Sequence, residues 1–206
     1  MSPVLWILLA ATGATVALLF DRRQKSKVLS LDEWAEQQNR PLIREVELSL
    51  LSEVEPLSLL APVFGIERFL PARAESEAAL FLVHCGRGHQ QETLVLGVLA
   101  APSWLAHLRI VPRTVSDVPA HLGYVEQESP ALPSSYRVES FAELDAGLLA
   151  ALSGALPFAG EPIRIELRPS RILVAVRGQD GDAAALVSES CQALLSILLS
   201  WRSGSE

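Results

Sequence analysis

The chain has little cysteine, methionine, tyrosine or lysine. Among its 206 residues there are two cysteines, one methionine and two tyrosines, and the only lysines are Lys25 and Lys27. Two cysteines are too few for a disulfide-stapled scaffold or a cysteine-rich zinc module. A net charge of −7, with 17 Lys and Arg against 24 Asp and Glu, excludes a basic nucleic-acid binder. With 20% of its residues charged, the composition also excludes a polytopic transporter. Gly-rich phosphate loops, a G-x-S-x-G elbow and paired dinucleotide-binding glycines are also missing. At 50% apolar residues the chain is nonetheless too hydrophobic to be disordered.

Part of that apolar content is concentrated at the start. Val4 to Phe20 reads VLWILLAATGATVALLF, and Asp21-Arg22-Arg23-Gln24-Lys25-Ser26-Lys27 follows. As a helix the run would span roughly 26 Å, near the lower limit for a hydrocarbon core of about 30 Å. Trp6 and the basic cluster suit interfacial anchoring, and Lys and Arg on one side only predict a cytoplasmic C-terminal side. No positive residue precedes the run and no small-residue cleavage site follows it, unlike a signal peptide. The pattern therefore predicts a single-pass membrane anchor and basic tail over 1–27, with the bilayer as partner through Val4 to Phe20. Ala10 and Ala14, and Gly13 and Ala17, are spaced for close helix packing, so a homodimer is one expectation.

Residues 28–206 are expected to form one globular domain. This part carries a charge of −10 against +3 for Asp21–Lys27, and it remains about half apolar. Ser30 and Glu33 have the spacing of a capping box and predict a short helix to Asn39. Leu42 to Leu60 is read as helix from Ile43, Val46, Leu50, Leu51 and Val54. Period-two runs over 79–85 and 92–99, either side of Gly86-Arg87-Gly88-His89, predict a hairpin. Leu108–Val111 and Tyr136–Glu139 read as short strands, and Gly123–Ser135 as a loop. Ser140 and Glu143 suggest a second capping box, opening a helix on Leu144, Leu148, Leu149 and Leu152. Ile163, Ile165 and Leu167 alternate with Arg164, Glu166 and Arg168 like a half-buried strand. A returning strand and a final helix from Asp182 follow, the helix read as too short and interrupted to cross a membrane. The expected fold class is α+β: an N-terminal transmembrane helix, then a mostly antiparallel sheet with packed helices.

His84-Cys85-Gly86-Arg87-Gly88-His89 is the most reactive-looking segment. A cysteine-phosphatase loop requires an Arg six residues after the Cys, but position 91 is Gln91. Adjacent strand residues also point to opposite faces, so His84 and Cys85 do not form a nucleophile–base pair by themselves. No CxxC or HxxxH pair accompanies these residues, and His107 and His121 stand alone, so neither metal nor cofactor is expected. Cys85 and Cys191 read as reduced core residues, or as one bridge if the domain faced an oxidising compartment.

The hairpin ending in Leu108–Arg113, the segment Tyr136–Phe141 and the closing strand–strand–helix resemble uncharacterised bacterial single-pass membrane-anchored proteins with a cytosolic α+β domain. The resemblance implies a domain held at the inner face of the membrane and brings no activity with it. The expected role is a non-catalytic interaction or scaffold domain with a protein partner and no nucleic acid. The alternative is a membrane-tethered hydrolase using His84, Cys85 or His89.

Overall fold

The computed structural model describes residues 29–52, 62–87, 89–105, 107–115, 125–127, 132–155 and 162–203. Helix α1 (Leu31–Gln37) opens on the capping box read from the sequence. The Glu33 amide donates to Ser30 Oγ at 3.2 Å, and the Ser30 amide donates to Glu33 Oε2 at 2.9 Å. The helix ends where Asn39 takes φ 51°, a left-handed conformation that asparagine tolerates. Replacing Ser30 with Ala removes the acceptor for one of the first-turn amides. We expect a loss of about 1 kcal/mol in the urea unfolding free energy with the fold unchanged by circular dichroism.

The nine strands among the described residues form one antiparallel sheet. They are β1 (Ile43–Arg44), β2 (Val63–Leu70), β3 (Ala79–Arg87), β4 (Gln90–Ala100), β5 (Leu108–Pro112), β6 (Val125–Gln127), β7 (Tyr136–Ser140), β8 (Ile163–Arg168) and β9 (Arg171–Arg177). Their spatial order is β1-β2-β3-β4-β9-β8-β5-β7-β6, and every pairing is antiparallel. The expected hairpin is β3–β4, with pairing running out to Arg87 and Gln90. Among the described residues there are three further helical segments: α2 (Ser49–Ser52), α3 (Ala146–Ala155) and α4 (Gly181–Ser203).

Alternation along the strands divides the interior in two. Leu80, Leu82, Val95, Ile110, Ile165 and Val174 face the helices, and with Ala184, Val187, Cys191, Leu194 and Leu198 of α4 they form the larger core. Phe81, Val83, Cys85, Leu94, Leu96, Leu173 and Ala175 face the other way and form a second core, against which Val46, Leu50 and Val115 pack. Arg40 ties the end of α1 to the sheet. Its Nη2 donates to the carbonyls of Leu70, Pro71 and Ala78 at 3.1, 3.0 and 2.7 Å. Burial pushes this guanidinium below its ordinary pKa, with Glu77 acting in the opposite direction.

Several expectations are corrected. The N-terminal transmembrane helix does not stand as part of this fold. Val4–Phe20 lies outside the described residues, and the one described helix long and apolar enough to cross a membrane is at the other end of the chain. That helix is α4, over Gly181–Trp201, with a mean hydropathy of 1.5. The expectation that it is too short and interrupted for a span is corrected, since its length and composition suffice. Its inner face is packed on the sheet, as a core helix requires. The stretch read as helix from Leu42 holds the two-residue β1 and the single turn α2, while 53–61 lie outside the described residues. Part of the expected loop Gly123–Ser135 pairs with β7 as β6.

The box at Ser140 does not form, because Ser140 is the last residue of β7 and its hydroxyl donates to the Ala142 carbonyl. Asp145 caps α3 instead, accepting from the amides of Gly147 and Leu148 at 2.7 and 3.2 Å.

Candidate functional site

His84 enters a site that its sequence neighbours do not share. On β3 it projects to the face opposite Cys85, and the flanking strands bring it two partners. Nδ1 lies 3.1 Å from Thr93 Oγ1 on β4, and Nε2 lies 3.2 Å from Glu67 Oε2 on β2. A hydroxyl, an imidazole and a carboxylate thus form one chain across three strands. Phe64, also on β2, stacks on the imidazole with ring centroids 6.2 Å apart and planes at 19°.

A groove of about 630 Å³ opens beside this chain. It runs from Phe64 past His84, Thr93 and Glu92 to Arg177, Gly178 and Gln179. Glu92, which lines it, and Glu67, which meets His84 from β2, are both paired with arginines. Glu67 also pairs with Arg68 at 2.9 Å, and Glu92 pairs with Arg164 at 2.6 Å. Gly178 sits at φ 150°, a backbone conformation that side chains disfavour, where β9 turns toward α4.

The other candidate residues are dispersed. Cys85 is buried in the second core, with its sulfur 3.8 Å from Glu92 Oε1. His89 is exposed in the β3–β4 turn, and His107 packs against Phe141 with ring centroids 5.3 Å apart. His121 lies outside the described residues. Of the three residues offered for the hydrolase alternative, His84, Cys85 or His89, it is His84 that lines the groove. Among the described residues no three His, Cys, Asp or Glu side chains gather closely enough to hold a metal ion.

Chemically, both nitrogens of His84 are occupied by protein groups. General acid–base work would need one of them turned to a reactant. Among the described residues, the hydroxyl that meets His84 is that of Thr93. The sequence reading missed Phe64, Glu67, Thr93 and Arg177 because no local motif marks them. Each meets His84 or the groove through strand pairing alone.

Cys191 lies in the larger core and Cys85 in the second, on opposite sides of the sheet. The bridge considered for an oxidising compartment is therefore incompatible with this fold, since bridged Cα atoms lie within about 7 Å and their Cβ atoms must point together. Burial pushes the Cys191 thiol well above its ordinary pKa. In native protein neither thiol should react with Ellman's reagent over minutes, and two should appear in guanidinium. Rapid labelling of either thiol in the native state would contradict the packing.

The second face of the sheet carries a buried lattice of charge where the sequence suggested solvated residues. Arg109 on β5 lies opposite Glu139 of β7 and Glu166 of β8 in register. Its Nε donates to Glu139 Oε2 at 2.7 Å, and Arg137 Nε lies 3.0 Å from Glu139 Oε1. Arg168 Nε donates to Glu166 Oε1 at 2.7 Å. Arg109 is fully buried, and Arg164 and Glu166 are 5% and 1% exposed. The correction is that β8 is buried on both faces, with its polar residues neutralised in place.

The fold defined by these elements is a broad antiparallel sheet with α1, α3 and α4 on one face and paired charges buried on the other. No family model matches the chain, and no curated protein matches it. Among solved structures it is similar to the crystal structure of the mycobacterial trehalose monomycolate transport factor A, TtfA. The two are 11% identical over 80% of this chain and 90% of that one, with a TM-score of 0.51. At that identity the likeness is one of fold.

Proposed function

We propose that this chain is a membrane-associated, non-catalytic interaction domain that holds a protein partner at the cytoplasmic face of a bacterial membrane. The observation that carries this reading is the similarity of fold, over four-fifths of the chain, to a protein named as a transport factor. Two features support it. The polar chemistry around His84 is consumed by partners inside the fold. The cluster Arg22, Arg23, Lys25 and Lys27 beside an acidic remainder suits anionic lipid on the cytoplasmic side.

The test is fractionation and affinity purification of the tagged full chain from its native host. The chain is expected to sediment with membranes and to bring down one partner reproducibly at near-stoichiometric amounts. A soluble chain that purifies alone would overturn the proposal.

One observation favours a second reading, namely the Thr93–His84–Glu67 chain at an open groove. Under that reading the purified chain hydrolyses p-nitrophenyl esters of short acids, and His84→Gln abolishes the activity. Equal background rates for both proteins would dispose of it.

A further inference from the structure

We infer that the end of the sheet bearing Phe64, Arg177 and the β3–β4 turn rests on an anionic bilayer surface. This inference rests on the membrane-associated reading above and deepens it by naming the surface that meets the lipid.

Strand polarity makes the first part of the argument. Val63 pairs with Cys85, Cys85 with Glu92, and Leu94 with Arg177, so these residues mark one end of the sheet. The chain enters the fold at that same end. The Gly181 amide, at the start of α4, donates to the Leu29 carbonyl at 2.7 Å, and Ser30 bridges to Asp180. Arg22, Arg23, Lys25 and Lys27 precede Leu29 in the sequence. Covalent geometry keeps Lys25 and Lys27 within about 14 Å of Leu29, and the whole cluster within about 25 Å. The basic cluster is thus tethered at the end that carries Phe64.

Surface chemistry makes the second. Phe64 is 51% exposed there, and His89, Gln91, Arg177 and Gln179 are exposed at the same strand ends. An exposed aromatic ring among basic and amide groups suits the boundary between lipid headgroups and acyl chains. Glu67 and Glu92 are paired with arginines, and the exposed Asp182 of α4 stands against the four basic residues of the cluster. The opposite end of the sheet also exposes aromatic rings, Trp104 and Phe141. Yet Glu75, Glu143 and Asp145 are exposed there, on the β2–β3 and β7–α3 connections. Anionic lipid is repelled from that end and attracted to the one at which the basic cluster is tethered.

The experiment places an environment-sensitive dye on the full-length chain bound to vesicles. Gln179→Cys reports from the end assigned to lipid and Ser76→Cys, in the β2–β3 connection, from the opposite end; both positions are exposed. Wild type, whose two cysteines are buried, is the labelling blank, and unchanged circular dichroism checks each fold. In phosphatidylcholine–phosphatidylglycerol vesicles carrying nitroxide lipid, quenching at position 179 should exceed that at position 76 at least about threefold. It should fall when phosphatidylglycerol is left out, and fall again when Phe64→Ser is added to Gln179→Cys. Equal quenching at the two positions would overturn the assignment. So would quenching at position 179 that ignores lipid charge, or a chain that floats with the vesicles while position 179 stays unquenched. In that last case the membrane-associated reading stands and only the surface is wrong. A full-length chain that does not float with the vesicles removes the membrane-associated reading itself, and this inference with it.

Discussion

Replacing Glu139 with Ala is expected to destabilise the domain by about 3–5 kcal/mol, the loss seen when one member of a buried ion pair is removed. Arg109 is fully buried, and its guanidinium has Glu139 as its partner through both Nε and Nη2. Without the carboxylate, Arg109 loses both of these charge-assisted hydrogen bonds while buried beside Arg137, whose Nε lies 3.0 Å from the same Glu139 side chain. Both arginines would then have to reorganise or draw in water. The pair itself is a weaker source of stability than the cost of breaking it suggests, because desolvation offsets its Coulomb attraction. The double variant Arg109→Met/Glu139→Leu should accordingly recover most of the loss. Urea unfolding of the three proteins checks this. A Glu139→Ala loss below about 1 kcal/mol would mean that the pair is solvated.

Gly97→Ala should produce the second large effect, by overpacking the contact between β4 and α4. A Cβ at Gly97 would lie 2.4 Å from Val187 Cγ1, 3.0 Å from Cys191 Sγ and 3.4 Å from Leu80 Cδ2. Val187 and Cys191 belong to the helix that closes the larger core, and both are fully buried. The extra methyl must therefore displace α4 or force side chains off their rotamers, at about 1–3 kcal/mol. Val187→Ala alone should also cost stability, by opening a cavity. Combined with Gly97→Ala it removes the group met most closely, so the double variant should be more stable than the sum of the single losses predicts. Strict additivity in thermal or urea unfolding would show that the two positions do not share this contact.

Much of the local structure was legible because the signals are short-range. The Ser30–Glu33 box, the β3–β4 alternation and the β8–turn–β9–helix run each depend on residues a few positions apart. Where a distant strand intervened, the same kind of signal misled. Ser140 and Glu143 have the spacing of a cap, but pairing of β7 with β5 and β6 holds Ser140 in extended backbone. Strand β2 carries no clean alternation because its register to β3 shifts between Val63 and Gly65 and again between Ile66 and Arg68. That irregularity hid Phe64 and Glu67, and with them half of the site around His84.

By itself, the sequence determined the location of helix caps, turns and alternating strands, the acidity of the domain, and the separation of His84 from Cys85. These follow from backbone geometry and side-chain period, which act over a few residues. Only the tertiary structure decided which faces are covered, and therefore that Arg109, Arg164 and Glu166 are buried ion-pair partners rather than solvated surface. It also decided that His84 meets Glu67 and Thr93, that Cys85 and Cys191 stand on opposite sides of the sheet, and that the apolar helix closing the chain belongs to the core. Each of these depends on strand order and register, through contacts between residues far apart in the chain, and no local period encodes them.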